Sequence, residues 1–241
     1  MNVGTEVADV FKAAAKNLTP YVLALSVIGG VTMAILQTIK DLLPVRQWFQ
    51  RGALQEWMHE GETEARAKLN NQAISAANAE TDLLTLAVDG DAGALYDLQI
   101  EQLCGQLTAA IQIVLEFPSS HLDLLAIAAS KSNPDDIAIL LQPPANPPMP
   151  QFVDARTRVT HQCQRAIDAF QISTGFRWKL YLQWASFVLS TVLAGIAIGW
   201  ARPQNQLSSA ILVAIPGGFL AGFLAPVAKD LLAVLQKARG Q

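Results

Sequence analysis

Hydrophobic side chains are concentrated in three stretches of the chain that contain no charged residue: Asn17 to Ile39, Leu180 to Ala201 and Pro203 to Ala228. A helix of about 20 mostly apolar residues crosses the roughly 30 Å hydrocarbon core of a bilayer, and each stretch reaches that length. The pattern therefore predicts three transmembrane helices, over residues 20–43, 180–201 and 207–228.

Between the first and second stretches, apolar residues recur at alternating steps of four and three, which is the periodicity of a packed helix. Tyr96, Ile100, Leu103, Leu107, Ala110, Val114 and Phe117 follow this spacing. Asp91 and the Asn133-Pro134 pair have the chemistry of helix N-termini. Alternation with a period of two, as in strands, is not sustained anywhere in this segment, so we expect it to be helical.

These patterns predict an all-α integral membrane protein with a helical cytosolic domain inserted between the first and second membrane helices. We expect the acidic domain over 44–142, a proline-rich linker over 143–151 and an amphipathic stalk helix over 152–179. The stalk has the spacing to continue into the second span. An amphipathic segment over 1–19 and a basic tail over 229–241 complete the organisation. Within the domain, Gly61 is expected to break or weaken a polar helix that runs to about Thr81.

Charge is strongly segregated although the whole chain carries only −3. Residues 52–154 hold fifteen Asp or Glu against Arg66, Lys68 and Lys131. Nucleic acid is therefore not an expected partner, because its phosphates require a basic surface. The acidic surface keeps the domain soluble and away from anionic lipid, or it recruits a protein partner.

Lys and Arg near the ends of the predicted spans give an orientation. Eleven of them flank the central segment or lie in the C-terminal tail: Lys40, Arg46, Arg51, Arg156, Arg158, Arg165, Arg177, Lys179, Lys229, Lys237 and Arg239. By the positive-inside rule, the central domain and the C-terminus are cytoplasmic, in a bacterial inner membrane. The expected interfacial anchors are Lys40, Arg46, Trp48, Trp178, Lys179 and Lys229.

Lys12 and Lys16 fit this orientation poorly and leave two topologies open for the first span. One is a full crossing. The other is a re-entrant segment that folds back at Gly29-Gly30. The full crossing is favoured because a lipid-facing break in backbone hydrogen bonding is costly.

Small residues recur at every fourth position in each span, a pattern that permits close helix–helix approach in lipid. The predicted helix-packing residues are Ser26, Gly30, Ala34, Thr191, Gly195, Gly199, Ala214, Gly218 and Gly222. The alternative is that the glycines only reflect membrane composition. If the contacts are real, the chain forms a homo-oligomer.

Polar or helix-breaking residues inside the spans are candidates for a pore or gate. They are Gln37, Thr38, Pro216 and Gly217. Pro216 and Gly217 indicate either a broken helix at a gate or a kink whose backbone groups are satisfied by neighbours.

Catalytic chemistry is not indicated by any motif. The three uncharged stretches contain no Asp, Glu, Lys, Arg or His, and His59, His161 and Cys163 lack the spacing of a zinc site. We expect no enzyme activity, no metal and no cofactor. Two functions remain: a homo-oligomeric pore gated by a cytosolic domain that senses a small molecule or protein, and a non-catalytic membrane scaffold that recruits a partner through its acidic domain.

Overall fold

A computed structural model describes residues 26–40, 42–142 and 149–201, with side chains given up to residue 197. All regular secondary structure in these ranges is helical. The helices are α1 (Ser26–Lys40), α2 (Val45–Leu69), α3 (Ala76–Val88), α4 (Ala92–Asp97), α5 (Ile100–Glu116), α6 (Leu122–Ala128), α7 (Pro134–Leu140) and α8 (Pro150–Ala201). The predicted third span, with Ala214, Pro216, Gly217, Gly218 and Gly222, lies outside the described residues, as do Lys229 and the predicted segments 1–19 and 229–241.

The chain divides into two compact units. The helical domain comprises Pro44–Trp178 and therefore contains α2 to α7 together with the first part of α8. The other unit contains the described residues 26–40, 42–43 and 179–201 and is called the membrane unit after the spans that the sequence predicts there. The predicted stalk thus packs as part of the domain over most of its length and is not a separate spacer.

The core of the helical domain is formed mainly by leucine and isoleucine side chains from α2, α3, α5 and α6. Its largest fully buried members include Leu54, Met58, Leu83, Leu103, Leu107, Leu124 and Ile127. Leu103, Leu107, Ala110 and Val114 are all buried on α5, which confirms the four-three pattern read from the sequence there. Burial of this apolar face is the main contribution to the stability of such a bundle.

Two helix starts predicted from the sequence are confirmed. The Asp91 carboxylate accepts a hydrogen bond from Ala94 N at 3.0 Å and caps α4. Asn133 caps α7 by accepting from Asp135 N at 3.1 Å, with Pro134 in the first turn. Each side chain satisfies a backbone N–H that has no partner inside its helix.

The expectation for Gly61 is wrong. α2 continues through Gly61 to Leu69 and ends at Asn70, which adopts the left-handed conformation, while α3 starts after the Ser75 cap. Gly61 is buried because α6 passes too close for a side chain: a Cβ there would lie 2.7 Å from Ile127 Cγ2 and 2.9 Å from Ile127 O. The glycine permits a close helix crossing rather than a break.

The heptad pattern also extends less far than its spacing suggests. Tyr96 belongs to α4, and the chain leaves the helical conformation at Leu98 and Gln99 before α5 begins. Phe117 follows the end of α5 and is 58% exposed. The periodicity is kept across the break because both helices pack on the same core.

α8 is the one helix of the described residues that is long and apolar enough to cross a membrane by itself. A second candidate is obtained only if α1 and α2 are counted together as a single broken span. The all-helical fold is therefore confirmed, whereas of the three predicted spans one is supported as a candidate. The choice between a full crossing and a re-entrant first segment stays open.

Candidate membrane-coupling site

α8 enters the core of the helical domain along one face. Its buried residues there are Ala155, Val159, Cys163, Ile167, Phe170 and Thr174, at steps of four or three. Arg156 and Ser173, which share the predicted stripe, are exposed. The buried face is therefore slightly rotated around the helix from the predicted one. Ala155 and Thr174 are buried in place of Arg156 and Ser173.

Two aromatic pairs hold α8 against α2. The rings of Phe49 and Trp178 have centroids 5.1 Å apart, and those of Trp57 and Phe170 are 5.6 Å apart. Both pairs are tilted, a favourable geometry for aromatic rings. Because the residue number rises on α2 while it falls on α8, the two helices run antiparallel. This contact places the start of α2 beside residue 178.

Polar groups are buried close to these aromatic pairs. Gln50 is 5% exposed and Thr174 is 3% exposed. Among the described residues, Gln50 Oε1 has no hydrogen-bond donor within reach. A buried amide oxygen without a partner costs free energy, so the start of α2 is less stable than it would be with an apolar side chain at this position.

Ion pairs add further links between α8 and the rest of the domain. Arg177 donates to Glu56 Oε2 on α2. Arg158 donates to both carboxylate oxygens of Asp136 on α7, at 2.9 and 2.6 Å. The Arg158 hydrogen bonds lower the pKa of Asp136 and outweigh the opposing effect of burial. The pair therefore remains charged well below neutral pH.

A network of polar side chains around the Glu80 carboxylate joins α2, α3 and α4. Tyr96 Oη donates to Glu80 Oε1 at 2.6 Å, and Gln55 Nε2 donates to Oε2 at 3.0 Å. Arg51 lies 3.7 Å away, at ion-pair distance. Burial and the Glu80 hydrogen bond raise the pKa of Tyr96, which keeps its hydroxyl protonated as a donor. This network has a structural role, since each of its polar side chains interacts with another member.

Both cysteines are buried free thiols of the domain core. Burial raises the pKa of Cys104 and of Cys163 to about 12. At neutral pH they are protonated, and a protonated thiol is a poor nucleophile and metal ligand. Their role is packing.

In the membrane unit, α8 buries a line of small side chains. Ser186, Ser190 and Ala194 are 8%, 0% and 2% exposed, at intervals of four residues. Of the predicted packing residues, Thr191 and Gly195 are half-buried beside this line, and Gly199 lies in the last turn of α8. Because small residues occupy many positions of this segment, the sequence alone does not show which row of small residues is buried.

Large apolar side chains cover the other side of the same segment. Val188, Val192 and Ile196 are 58%, 51% and 52% exposed. Only 17% of the most apolar stretch of α8 is buried. An exposed surface of this length is typical of a helix in contact with lipid.

α1 has a corresponding small buried face. Gly29 and Thr32 are buried, whereas the predicted packing residues Ser26 and Gly30 are half-buried and Ala34 is exposed. The pore candidates Gln37 and Thr38 are both exposed. Ala34, Gln37 and Thr38 are thus available to lipid or to another chain.

The predicted interfacial anchors within the described residues differ in their surroundings. Trp48 is 65% exposed and Lys179 is exposed. Trp178 is half-buried against Phe49, and Arg46 donates to Asp97 O at 3.3 Å. Lys40, at the end of α1, is half-buried. Trp178 and Arg46 therefore make contacts within the domain, and their role as interfacial anchors stays a prediction.

A shallow cleft between α2, α6 and α7 encloses no space for a water molecule. It is lined by Ala65, Lys68, Leu69, Ala126, Ser130, Ser132, Pro134 and Ile137. Pockets for organic ligands have roughly 300–1,000 Å³. Within the described ranges, no three His, Cys, Asp or Glu residues converge as a metal site would require.

No family model, curated protein or solved structure matches this chain.

Proposed function

We propose that the protein is a homo-oligomeric membrane pore whose helical domain controls the membrane segment through α8. The observation that carries the proposal is the continuity of α8. One uninterrupted helix contributes Val159 and Ile167 to the core of the domain and Val188 and Ile196 to an exposed apolar surface. A rearrangement of the domain that rotates or shifts α8 is thereby transmitted along a rigid element.

The α2–α8 contact is the part of the domain suited to respond. It contains two tilted aromatic pairs, and Gln50, the residue after Phe49, is buried and incompletely paired. A contact of this kind has a smaller free-energy advantage over alternative packings than a fully apolar core. A partner that prefers one arrangement would shift the equilibrium by its difference in affinity.

Hydroxyl groups of the described membrane segments supply a polar but uncharged lining for the pore. Thr38, which is exposed, donates to Ala34 O one turn earlier at 2.9 Å, and the half-buried Thr191 donates to Phe187 O at 2.9 Å. Each hydroxyl oxygen keeps lone pairs that can accept a hydrogen bond or contact a cation. Several copies around one axis would form a neutral conduit.

We propose a basic protein as the gating signal, because the acidic surface of the domain offers a large area for such a partner.

The same surface favours a second candidate function, a membrane scaffold that recruits a basic protein. Arg66 and Lys68 are engaged internally: Arg66 pairs with Glu62 and donates to Ile74 O, and Lys68 pairs with Glu64 and donates to Ser130 O. Arg66 and Lys68 therefore do little to reduce the negative charge of the domain's other carboxylates. Long-range attraction of a basic partner follows from that imbalance.

Leucine at Gly195 tests the pore assembly. We expect Gly195→Leu to shift the full-length protein to smaller oligomers and to reduce leakage of dye from liposomes, because the larger side chain prevents close helix approach. Native mass spectrometry in mild detergent measures the copy number. Ala197→Leu is the matched control, since Ala197 is exposed and lies nearly opposite Gly195 around the helix.

The two functions give different results in these assays. A wild-type assembly above four copies with leakage that Gly195→Leu abolishes and Ala197→Leu preserves supports the pore. A monomer, or an oligomer that leaks no more than empty liposomes, contradicts it. Co-purification of a stoichiometric basic protein with a non-leaking chain would support the scaffold instead.

A further inference from the structure

The end of the helical domain near residue 178 carries large apolar side chains in solvent. Ile172 is 74% exposed, Phe176 is 66% exposed and Trp48 is 65% exposed. Ile172 and Phe176 are one turn apart on α8, so they share one face of that helix. The contact between Phe49 and Trp178 brings Trp48 to the same end.

Cations are more concentrated at this end than in the rest of the domain. The stretches 45–55 and 169–184 contain Arg46, Arg51, Arg177 and Lys179 and no Asp or Glu. Arg51 and Arg177 reach Glu80 and Glu56, yet their side chains remain 59% and 53% exposed. Aromatic residues among cations are typical of protein segments in the headgroup layer of a bilayer.

Exposed apolar residues recur along α8 on both sides of the exposed Arg177 and Lys179. Beyond Phe176, Tyr181 and Trp184 are 65% and 60% exposed, and the exposed valines follow. Ile172 lies seven residues before Lys179, or about 10 Å along the helix at 1.5 Å per residue. The sequence alone places the membrane boundary at Lys179, where the last cation precedes the uncharged stretch.

We propose that this end of the domain, formed by Trp48, Ile172 and Phe176 with the surrounding arginines, is immersed in the headgroup layer of an anionic bilayer. The boundary then lies near Ile172 and not at Lys179. The domain is docked on lipid directly, and the α2–α8 contact lies at the membrane surface. This inference rests on the membrane location in the proposed function but is independent of pore formation.

Nitroxide labels on three cysteine variants of the full-length protein measure the depth of each site in lipid. The variants are Ile172→Cys, His161→Cys and Val188→Cys, all at exposed positions. His161 lies three turns before Ile172 on the same face and is the aqueous control. Val188 is the lipid control. Cys104 and Cys163 are buried and protonated, so they are poor targets for the label.

The protein is reconstituted in vesicles of phosphatidylcholine and phosphatidylglycerol, and collisions with oxygen and with an aqueous nickel chelate are compared by electron paramagnetic resonance. We expect the oxygen-to-nickel ratio at residue 172 to be several-fold higher than at 161 and to lie below that at 188, because 172 is in the headgroup layer and 188 is in the hydrocarbon core. In phosphatidylcholine alone, the ratio at 172 should fall toward that at 161, because the arginines lose their anionic partners.

The outcomes separate this inference from the proposed function. A label at 172 as accessible to nickel as the label at 161, with 188 in lipid, overturns the docking alone. Nickel access at 188 overturns the membrane location as well. Spin–spin broadening at 172 with protection from both reagents would identify a second copy as the occupant and also overturn lipid docking. Equal immersion of residue 172 with and without phosphatidylglycerol would contradict the proposed attraction of the arginines to anionic lipid.

Discussion

Gly61→Val is expected to destabilise the helical domain severely, by about 3 kcal/mol or more. A Cβ at this position would lie 2.7 Å from Ile127 Cγ2 and 2.9 Å from the backbone oxygen of the same residue. The side-chain atom can move by a rotamer change, but the oxygen moves only if α6 moves away from α2. Several core residues of α6, including Leu124 and Leu125, would then lose packing. Chemical unfolding of the full-length protein in detergent measures the change.

Gly52→Ala is the control for Gly61→Val. Gly52 lies in the same helix, is exposed, and has open space where a Cβ would be added. Alanine stabilises a helix relative to glycine by up to about 1 kcal/mol, so Gly52→Ala should be neutral or slightly stabilising. If Gly61→Val unfolded at the same denaturant concentration as wild type, the close crossing of α2 and α6 would be wrong.

Gly175→Pro is expected to have the largest effect on coupling between the domain and the membrane segment. Proline removes a backbone hydrogen bond and clashes with the preceding turn, which costs about 3 kcal/mol inside a helix and introduces a kink. Gly175 lies on α8 shortly before Lys179, where the domain and the membrane unit meet along the chain. The variant should therefore interrupt transmission and leave each side folded.

A double-variant cycle measures that transmission. Gly61→Ala, a milder perturbation of the domain than valine, should change liposome leakage by about fivefold or more when α8 is intact, which is the scale of ordinary allosteric coupling. In the Gly175→Pro background the same substitution should have no effect on leakage. Gly175→Ala is the control, because no atom would obstruct its Cβ and it preserves the helix. An undiminished effect in the proline background would show that α8 does not carry the signal.

Much of the fold could be predicted from the sequence because local rules act there. The Asp91 and Asn133 caps depend on residues within one turn, and both are present in the structure. The buried α5 stripe follows from periodicity. Gly61 could not be interpreted in this way, since a glycine that breaks a helix and one that admits a neighbouring helix have the same local sequence. Only the tertiary contact with Ile127 distinguishes them.

The contacts of α8 could be predicted from the sequence only in part. The spacing of apolar residues allows the stalk to continue into the second predicted span, but the antiparallel contact of α8 with α2 joins residues more than a hundred positions apart. The aromatic residues Phe49 and Trp57 gave no signal of their partners. Likewise, Ser186 and Thr191 are equally small and polar in sequence, and burial alone separates them. Long-range packing decides which face of a uniformly small and apolar helix is covered.

Alkaline carbonate extraction of membranes from cells that express the full-length chain tests the central claim most directly, namely that the apolar part of α8 lies in a bilayer. The exposed Val188, Val192 and Ile196 would be unfavourable in water, so we predict that the protein stays in the membrane pellet and is released only by detergent. Recovery of the intact chain in the aqueous fraction without detergent would contradict the account.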